Sequence, residues 1–212
     1  MKKNYTHITV IVDRSGSMSR SRNDVIGGFN AFLAEQKLND AECTLTLVQF
    51  DSGDVYDVLR DFVPLNQVEE LGNEYMPRGS TPLYDALGHG IDLLGKRLAG
   101  MKEEDRPEKV LFVIITDGEE NASLTFTKTQ IAAMTKHQTD KYNWQFMYLG
   151  ANQDAMVEGA KAGISMDTSA TYSEQKTCGG IMLASKKMSA YRLDRGSLDD
   201  LKFTDTDRAG LI

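Results

Sequence analysis

The sequence has few of the residues that mark a secreted, disulfide-stabilised or zinc-binding chain. Its 212 residues include four prolines, one tryptophan and two cysteines, Cys43 and Cys178. Two cysteines cannot build a disulfide framework, and no spacing of cysteine and histidine suggests a zinc site. We therefore expect two reduced thiols in a cytoplasmic protein.

Long apolar runs and an excess of basic residues are also missing. The apolar run at residues 8–12 follows two lysines, but it is too short for the core of a signal peptide and ends at Asp13. No other stretch of the sequence is long and apolar enough to span a bilayer. The formal net charge of −7 argues against nucleic acid or an anionic membrane as the main partner.

Hydrophobic periodicity divides most of the chain into alternating strands and helices. The predicted strands are residues 7–12, 44–50, 55–63, 110–115 and 144–149, and the predicted helices are residues 22–37, 83–98 and 127–137. The turn at residues 51–54 is so short that the strands on either side of it must be antiparallel. Thr127 and Gln130 have the spacing of a capping box.

The pattern weakens beyond residue 150. We expect helices at 152–162 and 173–192, the second interrupted by two glycines, and a short edge strand at 164–166. Residues 196–212 are polar and weakly patterned, which predicts a loosely packed or mobile tail after a domain of residues 1–195. The fold class is α/β: a doubly wound, mostly parallel central sheet with one antiparallel edge strand and helices on both faces.

Side chains with oxygen atoms cluster where the predicted strands end. Asp13, Ser15 and Ser17 follow the first strand, Asp117 follows the central strand, and Thr81 precedes the second helix. Ligands bind such sheets outside the carboxyl ends of the strands. A set of oxygen donors suits a hard cation, namely Mg²⁺, Mn²⁺ or Ca²⁺. The five residues are therefore the predicted metal ligands.

Each segment also has a purely structural alternative. Ser17 or a serine after it could cap the first helix, Thr81 could cap the second, and Asp117 could belong to a turn. These alternatives leave unexplained why two acids end buried strands at one edge of the sheet. An unpaired buried charge is costly, and a shared cation would relieve that cost.

The three segments resemble the metal-ion-dependent adhesion site of von Willebrand factor A domains, the family that includes integrin I domains. Residues 13–18 (DRSGSM) are similar to its D-x-S-x-S signature, residues 79–83 (GSTPL) to its threonine loop, and residues 115–118 (ITDG) to its distal aspartate. The resemblance covers residues 5–195. The SGSM and GSTPL segments are similar to those of intracellular, bacterial or phage-type members.

The resemblance implies a function as well as a ligand set. Ser15, Ser17 and Thr81 would be direct or near-direct ligands, and Asp13 and Asp117 would act partly through water. The ion would then keep an open coordination position, which in the family accepts a Glu or Asp carboxylate of a partner protein. The implied function is metal-dependent protein binding without catalysis, at the loops around residues 14–20, 76–81 and 118–121. The basic residues expected around that contact are Arg14, Arg20 and Arg78.

Two alternatives stay open. Asp13 stands where a magnesium-dependent phosphotransferase or phosphatase keeps its nucleophile, although that class needs a second carboxylate where this chain has Ser15. A metal-independent anion-binding module could instead use Arg14, Arg20 and Arg22 beside a helix N-terminus. Phosphate hydrolysis would identify the first alternative, and binding without added metal would identify the second.

Overall fold

A six-stranded sheet forms the centre of the protein. The computed structural model describes residues 1–152, 154–193 and 195–212. Its strands lie in the order β3-β2-β1-β4-β5-β6, and only β3 is antiparallel to its neighbour. The strands are β1 (Lys2–Asp13), β2 (Glu42–Asp51), β3 (Asp54–Pro64), β4 (Pro107–Thr116), β5 (Gln145–Ala151) and β6 (Ser169–Tyr172).

Helices cover both faces of the sheet. They are α1 (Arg22–Lys37), α2 (Leu83–Gly100), α3 (Lys128–Tyr142), α4 (Ala155–Lys161), α5 (Thr177–Arg192) and α6 (Asp205–Ala209). Apolar residues of α1 and α5 pack on one face, and those of α2, α3 and α4 pack on the other. In the described part of the chain, no helix is both long and apolar enough to cross a membrane.

The predicted fold class is confirmed. The central strands β1 and β4 are buried on both faces, which explains why their sequences read as continuous apolar runs. The hairpin at Asp51–Asp54 makes β2 and β3 antiparallel, as its length requires. The capping box of Thr127 and Gln130 is present at the start of α3.

The structure differs from the sequence prediction between β5 and α5. The edge strand predicted at 164–166 is wrong: Ile164 is a buried core residue before a short 3-10 turn, and the strand is Ser169–Tyr172. The predicted break in α5 is also wrong, since the helix runs through both glycines. Gly180 lets α5 approach β6 closely, because a Cβ atom there would lie 3.0 Å from the ring of Tyr172. Gln153, inside the helix predicted at 152–162, lies outside the described residues.

The last seventeen residues pack against the domain. Leu201, Phe203 and Leu211 are buried in the same core as α1 and α5. The backbone N–H of Ser173 donates a hydrogen bond to the carbonyl of Leu211 at 2.8 Å. This packing differs from the loose tail expected from the polar composition, since three well-spaced apolar residues are enough to fix the segment. A domain boundary at residue 195 stays a prediction.

We expect Leu201→Ala to lower the free energy of unfolding by about 2–4 kcal/mol, because it leaves a cavity in the core. Leu198→Ala is the matched control three residues earlier: Leu198 is 47% exposed, whereas Leu201 is 0% exposed. Urea unfolding of both variants measures the difference. Equal, small effects would mean that the terminal segment does not belong to the folded core.

Candidate metal site

Asp13 lies at the carboxyl end of β1 with its carboxylate fully buried. One carboxylate oxygen accepts a hydrogen bond from the backbone N–H of Ser15, and the other accepts one from the hydroxyl of Thr116, each at 2.6 Å. Thr116 ends β4, which pairs in parallel register with β1. The two central strands therefore end at the same place, as the sequence predicts.

The two serines of the first loop connect that loop to the end of β4. The hydroxyl oxygens of Ser15 and Ser17 are 3.0 Å apart, and the Ser17 hydroxyl donates a hydrogen bond to Asp117 Oδ1 at 2.5 Å. Met18, next in sequence, is completely buried in the hydrophobic core and anchors the loop there. Two of the three predicted segments thus meet through direct side-chain hydrogen bonds.

Thr81 brings the third segment to the same point. A Cβ atom placed on Gly118 would lie 3.0 Å from Thr81 Oγ1 and 3.8 Å from both Asp13 Oδ2 and Ser17 Oγ. Oxygens of three separate segments therefore face a common volume beside Gly118. A side chain at residue 118 would occupy part of that volume.

Hydrogen bonds hold the Thr81 loop against the first loop and the loop after β4. The N–H of Gly16 donates to the carbonyl of Gly79 at 3.0 Å, and Gly79 has a φ of 69°, where residues other than glycine are strained. On the other side, Thr81 N donates to Asn121 Oδ1, and Asn121 N donates to the Thr81 carbonyl. The position of Thr81 is therefore fixed from both sides.

The loop after β4 also caps helix α2. Glu120 accepts a hydrogen bond from the N–H of Tyr84, and the hydroxyl of Ser123 accepts one from the N–H of Asp85. In return, the buried carboxylate of Asp85 accepts hydrogen bonds from the backbone N–H groups of residues 124–126. Reciprocal capping of this kind satisfies the free N–H groups of a helix start. The loop that carries Asp117 and the helix that follows Thr81 are thus joined as one unit.

The structure excludes the helix-cap alternatives for Ser17 and Thr81. The hydroxyls of Ser19 and Ser21 donate to backbone carbonyls, and Ser21 at the start of α1 makes no side-chain cap. Thr81 precedes α2, but the N-cap position is Pro82, and the capping oxygens come from the loop after β4. The hydroxyls of the predicted ligands are therefore not used as helix caps.

Burial disturbs the titration of both acids. It raises the pKa of Asp13 to about 6, although hydrogen bonds from Thr116 and Ser15 oppose the shift and the charge of Asp117 adds to it. Burial also raises the pKa of Asp117, against the hydrogen bond from Ser17. A positive ion between the two carboxylates would offset both effects.

Arg14 does not belong to a basic rim, contrary to the prediction. Its side chain turns inward and forms ion pairs with Asp51 at 2.7 Å and with Asp57 at 3.0 Å. The physical reason is the alternation of the extended loop, which points residues 13 and 15 to one side and residue 14 to the other. Burial alone would raise the pKa of Asp51, but hydrogen bonds from Arg78 and nearby N–H groups, with the charge of Arg14, hold it below its usual value.

The other predicted basic residues differ in their surroundings. Arg22 donates to the carbonyl of Tyr75 and to two asparagine side chains, so its guanidinium is engaged within the fold. Arg78 pairs with Asp51 at 3.0 Å while its side chain stays 61% exposed. Arg20 is exposed, and its charge partly opposes the burial that raises the pKa of Asp117. Of the expected rim, Arg20 and part of Arg78 face solvent.

Tyr75 is a site residue that the sequence analysis missed. Its ring is completely buried, and its hydroxyl donates a hydrogen bond to the backbone carbonyl of Asp13 at 2.6 Å. It lies between β3 and α2, in a segment without regular structure, so no periodicity marks it. Only the three-dimensional path of this segment brings the tyrosine under the end of β1.

The residues present suit a hard cation. Within the described ranges, no group of three or more His, Cys, Asp or Glu side chains is placed to hold a metal ion. The site instead offers two carboxylates and three hydroxyls, all oxygen donors, around a volume that a Cβ atom at Gly118 would fill. This donor chemistry fits Mg²⁺, Mn²⁺ or Ca²⁺ better than zinc or copper.

Comparisons with known proteins identify the fold. Scans of the sequence against protein-family models and against curated proteins find no match. The structure is similar to the von Willebrand factor domain of Mfa5, a type V pili tip protein of Porphyromonas gingivalis: the TM-score is 0.62 at 9% identity, over 92% of this chain and 98% of that one. A von Willebrand factor type A protein of Catenulispora acidiphila matches with a TM-score of 0.59 at 13% identity, over 89% and 43% of the two chains.

A third similar structure is the manganese-loaded TRAP protein of Plasmodium vivax, with a TM-score of 0.53 at 15% identity over 85% of this chain and 73% of that one. Some similar chains are much longer, and this chain spans 48% of a matrix protein from the mussel byssus. At these identities the likeness concerns the fold. The chain has the fold of von Willebrand factor A domains.

The raised pKa of Asp13 gives a prediction about stability and pH in a chelating buffer. A carboxyl group whose pKa is higher in the folded chain than in the unfolded chain stabilises the fold at low pH. For Asp13 this contribution is complete when the pH is below the ordinary pKa of 3.8, and it is lost as the pH rises through about 6. We expect Asp13→Asn to remove most of that loss and to be more stable than wild type at pH 7.5, on the order of 1–2 kcal/mol.

Urea unfolding at pH 4, 5, 6 and 7.5 measures this, with Asp92→Asn on the exposed face of α2 as the control. The two curves should converge toward pH 4. A variant that is less stable than wild type at pH 7.5 would contradict the electrostatic account of Asp13.

Proposed function

We propose that this protein is a divalent-metal-dependent protein-binding domain, in which the metal takes a Glu or Asp carboxylate from a partner protein. The observation that carries the proposal is the convergence of oxygens from Asp13, Ser17 and Thr81 beside Gly118, with Asp117 hydrogen-bonded to Ser17. Ser15 completes the proposed ligand set.

Charge supports a bound cation. Asp13 is fully buried and Asp117 half-buried, and the charge of Asp117 adds to the cost of ionising Asp13. Mg²⁺, Mn²⁺ or Ca²⁺ would neutralise both carboxylates at once. The manganese-loaded state of the TRAP structure is a property of that protein, and it makes the same chemistry a reasonable expectation for a chain of the same fold.

The donor set also supports an external carboxylate. Three hydroxyl ligands are neutral, and we propose that Asp13 and Asp117 act partly through water. The ion would then have few directly bound anionic ligands and would favour a carboxylate from outside. Ser17 is exposed, which keeps this side of the site open to a partner. Proteins of similar structure include a pilus adhesin, a byssus matrix protein and a pili tip protein, and we extend an adhesive role to this chain as a proposal.

The segments that carry the proposed ligands also expose apolar side chains. Leu124 is 96% exposed and Met76 is 64% exposed, and they lie on the β4 loop and on the segment before Thr81. We propose that the acidic residue of the partner is flanked by apolar side chains that cover these two, while Arg20 attracts the acidic surface. The cytoplasmic location expected from the two cysteines stays a prediction.

The two alternatives fit the geometry less well. A phosphotransferase would need an accessible nucleophile, whereas both oxygens of Asp13 accept hydrogen bonds in a buried position. An anion-binding module would need free guanidinium groups, whereas Arg14 is paired with two aspartates and Arg22 is bonded to Tyr75. Neither alternative explains the convergence of hydroxyls on Gly118.

The proposed site can be tested by filling its central volume. We expect Gly118→Ala to weaken Mg²⁺ and Mn²⁺ binding at least tenfold, because the new methyl group would lie 3.0 Å from Thr81 Oγ1. Calorimetric titration measures the affinity, and Ser17→Ala should weaken it as well. Gly27→Ala in α1 is the matched control, since a Cβ atom there contacts nothing within 4 Å.

An unchanged affinity in both Gly118→Ala and Ser17→Ala would move the metal elsewhere on the protein and remove the basis of the proposal. A loss of affinity in the Gly27→Ala control would instead mean that the measurement reports on general stability.

Partner binding is tested by capture from a lysate with and without chelator, followed by surface plasmon resonance of the captured protein. We expect binding to require Mg²⁺ or Mn²⁺ and to be lost in Ser17→Ala, because an open position on the ion is the proposed contact. One Glu→Ala or Asp→Ala change in the partner should have the same effect as the chelator. Equal affinity with chelator and with Mg²⁺ would refute the adhesive role of the metal.

A further inference from the structure

Tyr172, the last residue of β6, has a buried hydroxyl group without a partner. The side chain is 0% exposed, and among the described residues none forms a hydrogen bond with its Oη atom. A buried hydroxyl without a hydrogen bond lowers the stability of the fold, because it has lost its bonds to water. Native structures rarely keep such a group unless a ligand or a water molecule uses it.

Tyr172 lies at the same edge of the sheet as the candidate metal site. Thr116 pairs with Gly150, and Gly150 pairs with Thr171, so Tyr172 stands one residue beyond the register of Thr116, level with Asp117. The ring packs against Gly180 of α5, where a Cβ atom would lie 3.0 Å from Cδ1. Besides burial, the charges of Asp117 and Asp13 raise the pKa of Tyr172, so the Oη atom lies within electrostatic range of both carboxylates.

Tyr75 provides an internal comparison. It lies under the same site, and its pKa is also raised by burial first and then by Asp13 and Tyr172. Its hydroxyl, however, is already used, because it donates to the backbone carbonyl of Asp13 at 2.6 Å. Of these two buried tyrosines, Tyr75 holds the backbone of Asp13, and Tyr172 has no hydrogen-bond partner for its hydroxyl among the described residues.

We propose that Tyr172 is a positioning residue of the metal site, whose hydroxyl donates a hydrogen bond to Asp117 or to a water molecule of the bound ion. This inference rests on the proposed function, since it assumes that a cation occupies the site. The O–H group would orient an oxygen that faces the ion and stabilise the negative charge on it. Partners of metal ligands commonly change metal affinity 10–100-fold when they are removed.

The test is Tyr172→Phe, which removes the hydroxyl and keeps the ring against Gly180. We expect two effects of opposite direction. The affinity for Mg²⁺, measured by calorimetric titration, should fall about tenfold. In a chelating buffer, the melting temperature should stay the same or rise, because a buried polar atom without a partner has been removed.

Two control variants separate this role from general packing. Tyr75→Phe removes a hydroxyl that has a partner, so it should lower the melting temperature in chelator. Tyr5→Phe removes a hydroxyl that is 2.9 Å from Thr44 Oγ1 at the opposite end of β1, so it should leave Mg²⁺ affinity unchanged. If Tyr172 had only a structural role, Tyr172→Phe would lower the melting temperature in chelator, as expected for Tyr75→Phe, or leave the Mg²⁺ affinity unchanged, as expected for Tyr5→Phe.

The outcomes keep the two proposals apart. If wild type does not bind Mg²⁺ or Mn²⁺, the proposed function fails and the inference about Tyr172 fails with it. If wild type binds Mg²⁺ and Tyr172→Phe binds it equally well, the role of Tyr172 is refuted while the metal site stands. If Tyr172→Phe loses stability in chelator and keeps its affinity, the hydroxyl has a structural partner and the inference is overturned.

Discussion

The burial of Asp13 at the end of a central strand is the constraint on which the rest of the site depends. β1 is covered on both faces, so its last carboxylate has little access to water and must find its partners within the protein. Ser15 and Thr116 provide two hydrogen bonds, but neither brings a positive charge. The nearest guanidinium on the same loop, Arg14, points away and pairs with Asp51. The loop therefore separates its charges: the guanidinium of Arg14 pairs with Asp51, and the carboxylate of Asp13 does not pair with it.

Rigidity around this carboxylate comes from hydrogen bonds between loops. The loop after β4 caps α2 through Glu120, while Asp85 of α2 binds the backbone of residues 124–126. Asn121 and Thr81 exchange two further bonds. Such a network fixes the segment of Thr81 relative to the loop that carries Asp117, without the help of a ligand. A preformed site loses less conformational entropy on binding than one that must be assembled.

Hydrophobic periodicity in the sequence predicts most of the strands and helices, and the positions of the strand ends predict the candidate site residues. The alternating pattern identifies five of the six strands and the helices up to α3, and the hydroxyl and carboxylate residues stand where parallel strands end. It does not predict the inward turn of Arg14, because its partner Asp51 is on another strand. It does not find Tyr75 or Tyr172, since a buried aromatic residue reads as core whether or not its hydroxyl points toward a site. Contacts over long sequence distances, not local propensity, decide these cases.

The charge of the whole chain bears on how the site would select a partner. With a net charge of −7, the protein repels other acidic surfaces at long range. An acidic partner would therefore need a positive charge at its contact site. Arg20 provides one exposed positive charge beside Asp117, but Arg14 is buried and Arg78 is partly neutralised by Asp51. The basic side chains alone are therefore a weak source of attraction. A divalent ion held by neutral hydroxyls would concentrate positive charge at one point. Selectivity for an acidic residue would then depend on the ion, and the surrounding loops would decide which acidic residue fits.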